Sequence, residues 1–264
     1  MNNTFEIKRF WFLIRKTLLE RPAQITGLIG LMLLIIFILY FICRSLIGFS
    51  ASQNLTFIWG LVGGGCFLAS YVFGYFASNA AGSSYLTLPA SHFEKWLCSV
   101  LIVGILYPII FLLFYRAMDA SFVAFYHKSL DPTSPLYKDK YKAVYQFAFD
   151  GFIARKVYST FALFTGVGMV GSLYFNKANL IKTALVFCAI CLCLYCLNWL
   201  FAQVMFGGIE GAIPFQDVYV RFGDNSGVVP IPRSLSNIVG VSFGYVIPAI
   251  LWILAYLRLK EKEF

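Results

Sequence analysis

The chain has 264 residues, of which 60% are hydrophobic and 12% charged, with a formal net charge of +9 and a mean hydropathy of +0.77. So little charge cannot cover a water-soluble domain of this length, whereas a bilayer asks for no polar surface. The composition is that of an integral membrane protein, and apolar runs about 20 residues long without strict alternation make its spans helices, not barrel strands.

Residues 1–22 carry Lys8, Arg9, Arg15, Lys16 and Arg21, interleaved at helical spacing with Ile7, Phe10, Trp11, Ile14 and Leu18. The pattern predicts an amphipathic helix in the interface, its apolar stripe in the headgroup boundary and its basic face on anionic lipid. The next apolar run, 23–43, exceeds the core of a signal peptide and is expected to remain as the first span. A second span is expected over 55–77, where Gly63, Gly64, Gly65 and Gly74 offer a flat surface for close helix packing.

Between this span and a third at 97–116 lies a polar segment, 78–96, which contains YLTLPASHFEKWL at 85–97. Pro89 lacks an amide hydrogen yet suits a first helical turn, and Ser91 with Glu94 three residues on fits a capping box. Both signals predict a short surface helix starting near Pro89. The competing reading is a polar connection ordered at the interface by Phe93 and Trp96. Pro108 predicts a kink in the third span, and Arg116 and Asp119 mark its exit from the bilayer.

The loop 117–152 combines the turn residues Asp131, Pro132 and Pro135 with Lys138, Lys140 and Lys142. Aromatic residues at 141, 145, 149 and 152 suit a surface helix over 137–152 lying on the membrane, or equally a solvated loop with some helix. Spans at 153–175 and 180–206 flank a tight polar turn that makes them antiparallel neighbours. In the loop 207–236 the turn sequence 223–227 separates 218–222 from 228–231, the pattern of a small hairpin. The sixth span, 237–257, ends in Arg258, Lys260 and Lys262.

An even number of spans puts both termini on one side, and both are basic. The positive-inside rule then expects them in the cytoplasm, with the protein in the cell inner membrane, 78–96 facing inward and 117–152 and 207–236 outward. Arg155 and Lys156 beside the fourth span oppose this orientation.

Motifs for chemistry are missing. The chain has no GxxxxGK[ST], HExxH or GxSxG, and its two histidines, His92 and His127, fall in separate loops. Cys188, Cys191, Cys193 and Cys196 spread over more than half of a helix circumference and cannot converge on one ion, so they read as small hydrophobes. The predicted span interiors hold no Asp, Glu, Lys or Arg, which argues against an ion-coupled carrier; Asn198 and Gln203 are expected to bond between helices. Neither catalytic residues, a metal, a bound cofactor nor a nucleic-acid partner is expected, and energy for transport has to come from a partner.

The basic N-terminal helix, the six spans, the LPASHFEK segment and the closing YLRLKEKEF together resemble the membrane subunit, or permease, of a bacterial ABC exporter of type 2. Leu88 and Pro89, Ala90 and Ser91, and Glu94 and Lys95 carry the match. The resemblance implies an all-α integral membrane protein with six transmembrane helices, an elbow helix at 4–20 holding Lys8, Arg9, Phe10, Trp11, Ile14, Arg15 and Lys16, and a coupling helix. That helix, formed by Leu88, Pro89, Ala90, Ser91, His92, Phe93, Glu94, Lys95 and Trp96, would dock into a groove on separate ATPase subunits, with Phe93 as apolar anchor and Glu94 and Lys95 as polar contacts.

On this reading ATP and magnesium are bound by the partner ATPase. The permease dimerises with a second copy or a homologous permease, meets membrane lipid, and moves an unidentified cargo, for which the abundant aromatics favour an amphipathic one. The connection at 207–220 would be re-entrant in that family, against which Glu210 and Asp217 speak. The alternative function is a non-transporting scaffold or accessory subunit of a larger secretion or motility complex, with the same spans and no ATPase docking.

Overall fold

The computed structural model describes residues 5–262 except 21, 78, 176–177, 208, 216, 223–224 and 231. Residues 1–4, Arg21, Lys177, Gly223, Asp224, Ile231, Glu263 and Phe264, all used above, therefore lie outside the described residues. Among the described residues six helices are long and apolar enough to cross a membrane, so the chain is an all-α, multi-pass membrane protein. Helix α1, Ile7–Glu20, precedes the spanning helix α2, Pro22–Ile47. The other spanning helices are α3, Phe49–Val72, α5, His92–Lys128, α7, Phe152–Tyr174, α8, Asn179–Phe206, and α9, Arg233–Lys260. Short helices α4, Asn79–Leu86, and α6, Tyr137–Ala143, lie at opposite ends of the bundle.

The first correction is at Gly48. Its φ of +85° is open to a residue without Cβ, and it reverses the chain between α2 and α3 in a single step. The second span therefore begins at residue 49, not 55, and its first turns bring the polar Ser52, Gln53 and Thr56 into the bundle. The third span is also longer than expected and continues to Lys128.

Three spanning helices widen into a π turn, at Trp59–Gly63, Ile102–Leu106 and Ser242–Val246. The last two stand directly before Pro108 and Pro248, in the matching words GILYP and GYVIP. A proline removes one amide and crowds the carbonyl four residues earlier, here that of a glycine, and one wider turn relieves the clash. The kink expected at Pro108 takes this form.

At the centre α7 packs against α3, α8 and α9 through its small residues. Trp252 of α9 lies over Gly166 and reaches Gly104 of α5, and its indole donates to Ala162 O at 2.9 Å. Gly168 meets α3: a Cβ there would stand 3.1 Å from Ala69 Cβ and 3.3 Å from the Cys66 carbonyl. Gly168→Val should therefore force the two helices apart at a cost of about 1–3 kcal/mol, read as a lower midpoint of thermal unfolding in detergent. Gly30→Ala, with nothing within 4 Å, should leave that midpoint unchanged or raised.

The expected surface helix over 137–152 stops at Ala143. Residues 144–149 are irregular and return to the bundle, with Phe147 buried and its ring 4.5 Å from that of Phe57, while Tyr145 and Phe152 stay exposed. In the last loop, strands β1, Ile209–Ala212, β2, Val218–Phe222, and β3, Asn225–Val229, form an antiparallel sheet in the order β1-β2-β3. The expected hairpin is present, closed by the pair Phe222 and Asn225. The stretch 207–220, against whose re-entry Glu210 and Asp217 spoke, holds β1 and the start of β2. Asn198, expected to bond between helices, donates instead to Ala212 O at 3.1 Å and ties the sheet to α8.

Candidate functional site

The stretch that carries the resemblance forms a corner at the end of the bundle that holds the described termini. Ala90 N bonds to Leu88 O at 2.7 Å in a tight turn around Pro89, and extended Ser91 then caps α5. The capping box is formed: Glu94 N donates to Ser91 Oγ at 3.1 Å, and Ser91 N donates to Glu94 Oε2 at 2.7 Å. The helix it opens is not the separate short one expected near Pro89. It starts at His92 and is the first turn of the third span; the separate short helix is α4.

Glu94 is fully buried. Its Oε1 accepts from Glu6 N at 2.8 Å and from Arg9 Nη2 at 3.4 Å, while Arg9 also pairs with Glu6 at 3.1 Å. One carboxylate thus starts α5 and pins α1 to it. Lys95 is fully buried as well, and its Nζ donates to Leu86 O at 2.9 Å, where a cation suits the carbonyl end of α4. Trp96 donates its indole N–H to Trp252 O at 3.0 Å, and Phe93 and Trp96 both touch the ring of Tyr256. The corner is tied in this way to α1, α4 and α9.

Of the nine residues assigned to docking, Ala90, Ser91, Glu94 and Lys95 are buried, Leu88, His92 and Trp96 are half-buried, and Pro89 and Phe93 are exposed. Glu94 and Lys95 are therefore corrected from outward contacts to inward fasteners. Ser83, Ser84 and Thr87 join Pro89 and Phe93 on the exposed face. Ser83 and Ser84 lie on α4, which has no apolar period to announce it, and Thr87 follows its last residue.

Helix α1 is amphipathic as expected, with Phe12 and Leu19 as exceptions on its basic side. Phe10, Leu13 and Thr17 face the protein, while Ile7, Trp11, Phe12 and Leu19 are exposed. At about 100° per residue, exposed Lys8 and Arg15 fall between Trp11 and Phe12 around the helix, so Phe12 lies among the basic side chains. Phe10, expected in the lipid stripe, is part of the core.

A second polar cluster lies at the opposite end. Asp119, expected at the bilayer exit, is fully buried and accepts from Tyr40 Oη at 2.7 Å, Gln53 Nε2 at 2.8 Å and Phe147 N at 2.8 Å. Tyr115 adds a bond from its hydroxyl to Gln53 O at 2.7 Å. The charge-free interior expected of the third span holds between Lys95 and Arg116, and Glu94, Lys95 and Asp119 are buried in the same helix on either side of it.

Cys188, Cys191, Cys193 and Cys196 are all exposed on α8, and among the described residues no group of three or more His, Cys, Asp or Glu could hold a metal. No family model, curated protein or solved structure matches the chain.

Proposed function

We propose that the chain is the permease subunit of an ATP-driven exporter of the ABC type, lying in the inner membrane with both termini in the cytoplasm. It pairs with a second permease and seats separate ATPase subunits, which hold ATP and magnesium. The observation that carries this reading is the corner at 79–96, whose outer face is open while its inner face is closed on itself by Lys95 and fastened to two other helices, α1 and α9. A displacement applied at Thr87, Pro89 and Phe93 would be passed through Glu94 to α1, through Lys95 to α4 and through Trp96 to α9. Coupling of two states needs such differential contact, and ATP-driven closure of the ATPases would supply it, rocking the permease halves so that a path between them opens outward.

The docking face is accordingly drawn on Ser84, Thr87, Pro89 and Phe93, with Glu94 and Lys95 as positioning residues behind it. Thr87→Arg combined with Phe93→Asp should lower ATP hydrolysis that co-purifies with the tagged chain by at least about tenfold, the loss typical of an anchor residue at an interface. The amount of chain in the membrane should stay the same. Unchanged hydrolysis in the double variant would overturn the docking face.

A further inference from the structure

At the end of the bundle away from the described termini, a groove of about 510 Å³ opens between α2 and α5 toward the lipid side. Phe37 and Phe41 form one wall and Phe114, Phe122 and Phe125 the other, with Phe41 and Phe125 each about two-thirds exposed. An apolar groove on a membrane protein is by itself only a lipid-facing surface. Arg44 distinguishes this one.

The Arg44 guanidinium lies half-buried at the groove, 5.1 Å from the ring centre of Phe49 and 5.5 Å from that of Phe122. Among the described residues no carboxylate pairs with it. The neighbouring acid, Asp119, has both oxygens engaged by Tyr40, Gln53 and Phe147, and no acidic residue lines the groove. A guanidinium against aromatic walls without a counter-ion calls for an anion from outside the chain.

The dimensions say which kind. From Arg44 down to Phe37 the wall is roughly 10 Å long, and from Phe122 down to Phe114 roughly 12 Å, at 1.5 Å per residue. Either length is most of one leaflet of a hydrocarbon core about 30 Å thick. We propose that the groove holds an acyl chain of an anionic phospholipid from the surrounding leaflet, with the lipid phosphate on Arg44. The site is independent of any ATPase partner.

The test titrates the purified full chain, in a neutral detergent, with phosphatidylglycerol and separately with phosphatidylcholine, counting bound lipid by native mass spectrometry. The wild type should prefer phosphatidylglycerol by about fivefold, the worth of one basic side chain at a lipid surface. Arg44→Gln should abolish the preference and Arg44→Lys should retain most of it, which separates lost charge from lost fold. Ala117→Trp, which fills the groove, should weaken retention of both lipids. Equal binding of the two lipids by the wild type, or a preference that survives Arg44→Gln, would overturn the proposal. So would displacement of bound lipid by inorganic phosphate alone, which would make this a free-anion site. An Ala117→Cys chain that links to a second copy while holding no lipid would assign the groove to a permease interface instead.

Discussion

Asp119→Asn is expected to loosen the end of the bundle away from the described termini by about 3 kcal/mol, more than its near-identical shape suggests. The carboxylate faces donors only: Tyr40 Oη and Gln53 Nε2 at one oxygen and Phe147 N at the other. A carboxamide offers one oxygen and one amino group. With the oxygen toward Tyr40 and Gln53, its amino group confronts the Phe147 amide; flipped, it confronts the other two. Either orientation leaves at least one buried donor unpaired, at about 1–3 kcal/mol, and removes the charge that strengthened the remaining bonds.

The expected readout is a thermal midpoint in detergent lower by roughly 10 °C. Amide exchange should also quicken at 144–149, the segment whose only bond to Asp119 runs through Phe147 N. Tyr40→Phe, which removes one donor together with its bond, should cost no more than about 1.5 kcal/mol. A midpoint for Asp119→Asn equal to that of the wild type would show that the cluster does not hold the end together.

At the other end, Glu94→Ala is expected to free α1. The change leaves Glu6 N and Ser91 N without their acceptor and Arg9 without its partner in α5. Breaking a buried pair from one side typically costs about 3–5 kcal/mol, and Arg9 being partly exposed places the loss at the lower end of that range. Exchange protection across 7–20 should fall before that of α7, and a double-mutant cycle with Arg9→Ala should show coupling between the two residues. Coupled ATP hydrolysis should fall as well although the exposed docking residues are intact, because a push on the corner no longer reaches α1. Native protection of α1 in Glu94→Ala would remove that residue from the coupling path.

Much of the architecture is legible in the apolar runs, because a bilayer forces each of them to be a helix of nearly fixed length. The fourth and fifth spans fall within one residue of expectation for this reason. The ends were harder, since they are set by single residues whose role depends on conformation. Gly48 turns the chain without any polar loop to announce it, and nothing local to Asp119 tells whether water or protein surrounds it.

The site shows the same division. The capping box of Ser91 and Glu94 is local and was readable from spacing; that the same carboxylate also holds α1, 88 residues away, has no local signal. Pro89 pointed to a helix start because proline suits a first turn, yet it suits a tight turn equally, and the favourable cap two residues later decided between them. Phe147 was hidden within an aromatic period that fits a surface helix, whereas the segment 144–149 is irregular and Phe147 N reaches Asp119 instead.

The claim on which the account turns is that an ATPase sits on the corner at 79–96. The most direct measurement places a photo-crosslinking amino acid at Thr87 or at Phe93 in cells, irradiates them, and identifies the captured polypeptide by mass spectrometry. The account expects a nucleotide-binding subunit containing GxxxxGK[ST], captured from both positions and absent when the crosslinker is moved to Tyr145 at the opposite end. Capture of membrane proteins alone, or of the same polypeptide from Tyr145, would contradict it and leave the chain as a scaffold.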